Sequence, residues 1–370
     1  MRSLARIRRI TDIQPIEGRD RIALATVDGW KVIIRKQEFE VGSYCVYCEI
    51  DSVLPERPEF EFMRDKKFRV RTIKMAGVYS QGICFPTSIL PEGFKFTEGQ
   101  DVTEVLGVTQ YEPTMDKGTE ALLDTYKRKY PSWMMRIKWL RKLLLPKKNS
   151  QEFPNFIRKT DEERIQNIPF ILTKEDDFGN RLCWMMTEKV DGQSGTFVLK
   201  RIRKKSMFSN KKFEFIVCSR NRRIPKEDNS SYWSVARKYH IESVLRSVIE
   251  DYEWVAIQGE CIGPGIQKNK YNRDDYELYV FNLIYPNGRT DSFHSNIVCR
   301  RYGLKHVPII GYNGNYFGSL PDTVDDVLKM ADGESALEPG VLREGIVFRT
   351  IDGKQSFKAV SNQFLTKWNE

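Results

Sequence analysis

Apolar and polar residues alternate with a period of two through much of the first hundred positions. Ala23-Leu24-Ala25-Thr26-Val27, Trp30-Lys31-Val32-Ile33-Ile34, Tyr44-Cys45-Val46-Tyr47-Cys48 and Phe68-Arg69-Val70-Arg71-Thr72-Ile73 each predict a short strand, because successive side chains of a strand point to opposite faces. Turn signals at Asp28-Gly29, Val41-Gly42-Ser43 and Ala76-Gly77 separate them. About five short strands in roughly 100 residues predict a small β-barrel.

The pattern then changes. Pro131 and Pro146 bracket a predicted helix over 132–145, with Met134, Ile137, Trp139, Leu140, Leu143 and Leu144 on one face and Arg136, Lys138, Arg141 and Lys142 on the other. Farther on, Thr160-Asp161-Glu162-Glu163 predicts a helix N-cap with acids in the first turn, running into Arg164-Ile165-Gln166-Asn167. Apolar runs at 182–186, 196–199, 213–217, 254–257 and 278–284 predict strands, and residues 232–250 carry the apolar period of one helix.

The length of 370 residues suits two domains of ordinary size. The patterning divides the chain into a β unit at 1–108, a basic connector with a helix at 109–151, and a mixed α+β domain at 152–370. Net charge is +10 and the pI is near 9.1, which points to a polyanionic partner. The seven cysteines are an odd number and several lie inside apolar runs, as reduced intracellular cysteines do. Cys45-Val-Tyr-Cys48 has metal-ligand spacing, but no second pair follows, so a zinc site is not expected. No apolar run approaches about 20 residues, so no membrane span is expected and the protein is placed in the cytoplasm or nucleus.

Candidate chemistry centres on Thr187-Glu188-Lys189-Val190-Asp191-Gly192, a Lys-x-Asp-Gly sequence between two strand-like runs. A lysine ending a buried strand can be held still for nucleophilic attack. Five segments follow it in order: Ser219-Arg220-Asn221, then Gln258-Gly259-Glu260, the aromatic strand around Phe281, Glu344-Gly345-Ile346-Val347-Phe348-Arg349, and Ser356-Phe357-Lys358. This order resembles motifs I, Ia, III, IIIa, IV and V of the covalent nucleotidyltransferases, the superfamily of polynucleotide ligases and mRNA capping enzymes.

Only residues 359–370 follow Lys358, too few for the trailing OB domain of capping enzymes and most DNA ligases. The barrel leads instead. Together with Lys159-Thr160-Asp161-Glu162-Glu163-Arg164-Ile165-Gln166-Asn167 before the core, that layout resembles the ATP-dependent RNA ligase 5 family. The resemblance implies an N-terminal OB fold, then an adenylyltransferase (ATP-grasp-like ligase) domain of antiparallel sheets flanked by helices. It implies joining of an RNA 3′-OH to a 5′-phosphate, at nicks in duplexes, by a monomer using ATP and Mg2+ or Mn2+.

By the same resemblance, Lys189 is the nucleophile. Glu188, Asp191, Gly192, Arg220, Asn221, Glu260, Phe281 and Lys358 surround ATP or AMP, with Glu260 on the ribose and Phe281 stacked on the purine. Glu344 holds the metal. An unperturbed lysine, pKa about 10.4, is almost wholly protonated at neutral pH. Lys358 and a metal are therefore expected to disfavour the charged form of Lys189. Lys204, Lys205, Lys211 and Lys212, in a basic loop after the lysine motif, and Lys367 are candidate contacts to nucleic-acid phosphates. One departure stands out: related RNA ligases carry Lys-x-Lys in motif V, where this chain has Ser356-Phe357-Lys358, leaving Lys354 or Lys367 as possible substitutes. A DNA ligase, a capping guanylyltransferase and a non-catalytic nucleic-acid-binding protein are the competing readings.

Overall fold

Strand β1 (Ala5–Pro15) serves both halves of the N-terminal sheet in the computed structural model. Through Ile10 to Pro15 it pairs with β2 (Ile22–Val27), and through Ala5 to Arg9 with β4 (Tyr44–Cys48), both antiparallel. A register shift between Ile10 and Asp12 marks where it changes partner, and such a bulge bends a strand. With β3 (Trp30–Arg35) and β5 (Ile83–Pro86) the order is β3-β2-β1-β4-β5, the curled sheet expected of an OB fold. The structure describes residues 3–111, 152–202, 212–226, 230–313 and 320–368. The helix expected over 132–145, and Lys204, Lys205 and Lys211, lie outside the described residues.

Two local expectations for this half change. The alternation that reveals β2 and β3 is broken in β1 by its bulge, so this longest strand was not foreseen. The run Phe68–Ile73 is not one strand: Arg69 makes an isolated bridge to Val53, and a separate strand, Thr72–Met75, pairs with Val78–Gln81. Lys67 and Phe68 adopt left-handed backbone, φ 52° and 56°, closing the 3-10 helix Pro58–Lys66.

The second half holds two sheets, antiparallel except where Lys305–His306 pairs parallel to one strand of the larger. One runs in the order β11-β6-β12-β13, from β6 (Trp184–Lys189), β11 (Ile309–Asn313), β12 (Gly345–Thr350) and β13 (Ser356–Val360). The other has the order β8-β7-β9-β10 at its centre, from β7 (Gln193–Arg201), β8 (Phe213–Cys218), β9 (Trp254–Ile262) and β10 (Glu277–Tyr285). Helices α1 (Ser231–Lys238), α2 (Ile241–Val248) and α3 (Ser292–Arg301) pack on one face of that sheet through Val235, Leu245 and Val298. Helix α4 (Val324–Ala331) packs on the first sheet through Val327 and Ala331, and α5 (Asn362–Trp368) follows β13.

The single helix expected over 232–250 is two. His240 is left-handed, φ 49°. The stripe Tyr232, Val235, Ala236 would continue at 239, 240 and 243 in one straight helix. The buried set is instead Ile241, Val244, Leu245 and Val248, shifted by one residue, and the break at His240 resets the phase.

The barrel is seated directly on the second half. Trp30 is fully buried and its Nε1 donates to Asn167 Oδ1 at 2.7 Å. Asn167 Nδ2 donates to Glu49 Oε1 at 3.0 Å, and Gly29 N donates to Gln166 O at 3.0 Å. Val360 and Leu365 belong to the same apolar cluster as Trp30, Val32 and Cys45. A Cβ at Gly29 would lie 2.7 Å from the Cα of Gln166. Gly29→Ala is therefore expected to lower stability by about 1–3 kcal/mol, the usual penalty of overpacking. Thermal melting reads this, and an unchanged midpoint would mean that the barrel is not seated on residues 165–167 in solution. Among the described residues no helix is long and apolar enough to cross a membrane.

Candidate active site

The period of two builds the cleft. On β6, Met185, Thr187 and Lys189 share one face; they stand opposite Arg349, Val347 and Gly345 of β12. Val347 and Arg349 stand in turn opposite Lys358 and Ser356 of β13. The other face, with Trp184, Met186, Ile346, Phe348, Phe357 and Ala359, is apolar core. Gly345 allows the close strand approach, since a Cβ there would meet Ala359 O at 2.2 Å.

The second sheet lines the opposite wall. Ser194 of β7, Glu260 of β9 and Tyr279 of β10 stand in register. The register of β9 and β10 slips between Gln258 and Gly259, leaving Phe281 as the extra residue of a bulge. Phe281 thereby packs with Val190, Ile262 and Tyr271 rather than with the helices behind the sheet; re-aiming a side chain is what bulges do beside sites.

Lys189 Nζ lies 2.5 Å from Glu344 Oε2. Burial pulls the Lys189 pKa down, but the carboxylates of Glu344, Glu260 and Asp191 outweigh it and hold it above the ordinary lysine value. In the protein alone the anions around Lys189 prevail over burial, so the expected loss of its charge depends on cationic charge brought to them. Glu260 is pushed up to about 8, first by burial and then, against the pull of Lys189, by the neighbouring Glu344 and Asp191 carboxylates. Lys358 is brought down to about 8, chiefly by burial, with Arg164 and Lys189 adding to it and Asp161 opposing.

The motif-I turn is clasped from behind. Asp191 N donates to Tyr271 Oη at 2.9 Å, and the Asp191 carboxylate pairs with Lys270, itself buried. Lys270 Nζ lies 4.5 Å and 4.8 Å from the ring centres of Phe364 and Trp368 on α5. A Cβ at Gly192 would meet Cys261 O at 2.4 Å.

The segment at 160–167 forms no α-helix; only Ile165–Asn167 makes a 3-10 turn. Asp161 and Glu162 face cations instead of a helix N-terminus, while the Glu163 carboxylate accepts from Arg164 N and Asn167 Nδ2. Asp161 bonds Lys358 Nζ at 2.7 Å and Arg220 Nη2 at 3.1 Å. Glu162 accepts from Arg289 Nη1 at 2.9 Å, from Arg349 Nη2 at 3.3 Å and from Ser356 Oγ. Lys358 N donates to Glu163 O at 2.8 Å. These long-range pairings outweigh the weak local preference for a capped helix.

The cleft thus collects Lys189, Glu260, Phe281, Glu344 and Lys358, with Arg220 reaching it through Asp161. Asn221, beside Arg220, accepts from Lys159 Nζ at 3.2 Å. Other expected residues fall elsewhere. The Glu188 carboxylate points to the far face, bonded to Ser335 Oγ and to Ala336 N at 2.8 Å. Only its backbone borders the cleft, because neighbours on a strand face opposite ways. Lys354 sits in the β12–β13 turn with Asp352 at 3.3 Å, Lys367 is exposed beside Trp368, and Lys212 is exposed at the start of β8. Neither Lys354 nor Lys367 fills the place of the missing motif V lysine. Ser356 shares Glu162 with Arg289 and Arg349.

The donor set fits a hard cation: carboxylate oxygens of Glu344 and Glu260 around one ammonium. Among the described residues no three His, Cys, Asp or Glu side chains form a cage for a metal ion. A cation here would be held by one or two carboxylates, leaving its other positions to phosphate and water oxygens, as is common for Mg2+.

The sequence profile of the RNA ligase family matches residues 183–368, and that of an OB-fold domain matches residues 4–87. The chain belongs to the RNA ligase family. Its architecture matches the Naegleria gruberi RNA ligase with PPi at 32% identity and a TM-score of 0.78, covering 99% of this chain and 98% of that one. Two variants of that ligase, one with ATP and Mn and one with AMP and Mn, each match at 31% identity and a TM-score of 0.77, over 98% of both chains. No curated protein sequence matches.

Several residues of this ligase site carry no signal in local pattern. Asp161, Glu162, Lys270, Tyr271, Arg289 and Ser335 reach it from segments far apart in sequence. Arg349 was legible: it alternates with Gly345 and Val347 and so shares the Lys189 face.

Proposed function

We propose that the chain is an ATP-dependent RNA ligase that seals nicks in duplexes, joining an RNA 3′-OH to a 5′-phosphate. The observation that carries this reading is one cleft face with Lys189 and Lys358, Glu344 against the Lys189 amine, and Glu260 and Phe281 opposite, in a member of the RNA ligase family. The Lys189 amine attacks the α-phosphorus of ATP; a phosphoramidate forms and pyrophosphate leaves. AMP then passes to the 5′-phosphate, and attack by the 3′-OH forms the phosphodiester and releases AMP.

Each neighbour has a task. Lys358 neutralises the α-phosphate in the transition state. Glu260 accepts from the ribose hydroxyls, Phe281 stacks on the adenine, and Arg220 meets the ribose or the polynucleotide end. Asp191 and Gly192 shape the turn that aims Lys189, held by Lys270 and Tyr271. Glu344 holds Mg2+ or Mn2+, whose charge offsets the carboxylates around Lys189 and favours the neutral amine. The leading barrel and the exposed Lys212 favour contact with RNA phosphates. All seven cysteines are free, in keeping with a reducing intracellular compartment. The ligase acts as a monomer.

Labelled ATP followed by a nicked duplex tests the reading. A nick with a 3′-terminal ribonucleotide is expected to seal about tenfold or more faster than one with a deoxyribonucleotide, because a site that engages the 2′-OH rejects its absence. Equal rates would favour a DNA ligase, and labelling by GTP in place of ATP a guanylyltransferase.

A further inference from the structure

Asp161 stands between two cations that the proposed reaction needs for the nucleotide. Its Oδ1 accepts from Lys358 Nζ at 2.7 Å and its Oδ2 lies 3.1 Å from Arg220 Nη2. Neighbours fix the segment on both sides. Thr160 Oγ1 shares a hydrogen bond with Ser194 Oγ at 2.7 Å. Glu162 is held by Arg289, Arg349 and Ser356, and Glu163 O receives the Lys358 amide. The backbone therefore presents Asp161 to the cleft, while its side chain, 38% exposed, keeps a route to solvent.

A carboxylate that engages two cations through separate oxygens does what a phosphate does at the same place. We propose that Asp161 is a built-in counter-anion: the incoming nucleotide takes over both cations, its phosphate Lys358 and its phosphate or ribose Arg220, and the Asp161 side chain turns to solvent. The proposal rests on the ligase reading and adds to it a positioning residue that sets the threshold for nucleotide binding. With the carboxylate in place, Lys358 and Arg220 hold their positions in the free protein without mutual repulsion. The exchange swaps one anion for another, so only a ligand that engages both cations displaces Asp161. Adenosine without phosphate would leave it in place.

Full-length Asp161→Asn tests this in mildly acidic buffer, where Lys358 keeps its charge. The ATP concentration giving half-maximal self-adenylylation is expected to fall by about two- to fivefold, the size of a partly exposed ion pair. Inhibition by inorganic sulfate is expected to strengthen by a similar factor. Asp161→Glu retains the anion and is expected to stay near the parent in both readings. An Asn variant whose half-maximal concentration is unchanged or higher overturns the proposal, as does a Glu variant that behaves like Asn. A parent protein that takes no label from ATP would sink the ligase reading instead. Calorimetric ATP binding, tighter in Asp161→Asn than in the parent, then still decides the counter-anion.

Discussion

Lys189→Ala forms no ATP-derived adduct and seals no nick bearing a 5′-phosphate. Two lysines share the cleft face, and their charges favour the wrong one. Lys358 is brought down to about 8, while Lys189 is held above the ordinary value. On basicity in the protein alone, Lys358 is the readier nucleophile. Position reverses this. Lys358 lies within β13, tied to Asp161 and flanked by the Glu163 backbone. Lys189 is the last residue of β6, ahead of a turn clasped by Lys270 and Tyr271, so its amine is aimed by a rigid frame. Its high pKa has a specific cause, the surrounding carboxylates, and a nucleotide-bound cation removes that cause. Mass spectrometry of the parent should place AMP on Lys189. An adduct that survives in Lys189→Ala and disappears in Lys358→Ala would exchange the two roles.

Glu344→Gln is expected to slow self-adenylylation by about a hundredfold or more, the scale on which charge-stabilising groups act. It also separates two roles of this carboxylate. Glu344 is the leading cause holding Lys189 protonated against burial. If that were its whole effect, the neutral glutamine would free the amine and speed the first step. As a metal-binding group it slows it. The two effects are read apart by an amine-specific acylating reagent without nucleotide: Lys189 should react faster in Glu344→Gln than in the parent at the same pH. The melting midpoint should barely move, since the substitution keeps the shape of the side chain. Adenylylation within a few-fold of the parent across Mn2+ concentrations would remove Glu344 from metal binding.

How much of this was legible beforehand follows the range of the interactions involved. The strands β2, β3, β4, β6, β7, β8, β9 and β10 were readable, because alternation and short apolar runs are local properties, while Lys189, Glu344 and Lys358 were named from the resemblance that their motifs carry. The order of the motifs also pointed to the family, since chemistry constrains which residue types line such a cleft. The strand β1 escaped, as its bulge interrupts the alternation, and one expected helix became two at His240 for the same kind of reason.

What tertiary structure alone decided is the electrostatic state of the site. Asp161 and Lys358 are 197 residues apart, and Lys189 and Glu344 are 155 apart. No local pattern tells that Asp161 and Glu162 neutralise cleft cations rather than cap a helix, or that the Glu188 carboxylate is buried on the far face. A pKa depends on the distance to every charge within several ångströms and on how much water remains. Both are set by cross-strand register and by the seating of the barrel on residues 165–167. The sequence by itself set the order of the motifs and so named the candidate groups; folding decided which of them face one another, and with what charge.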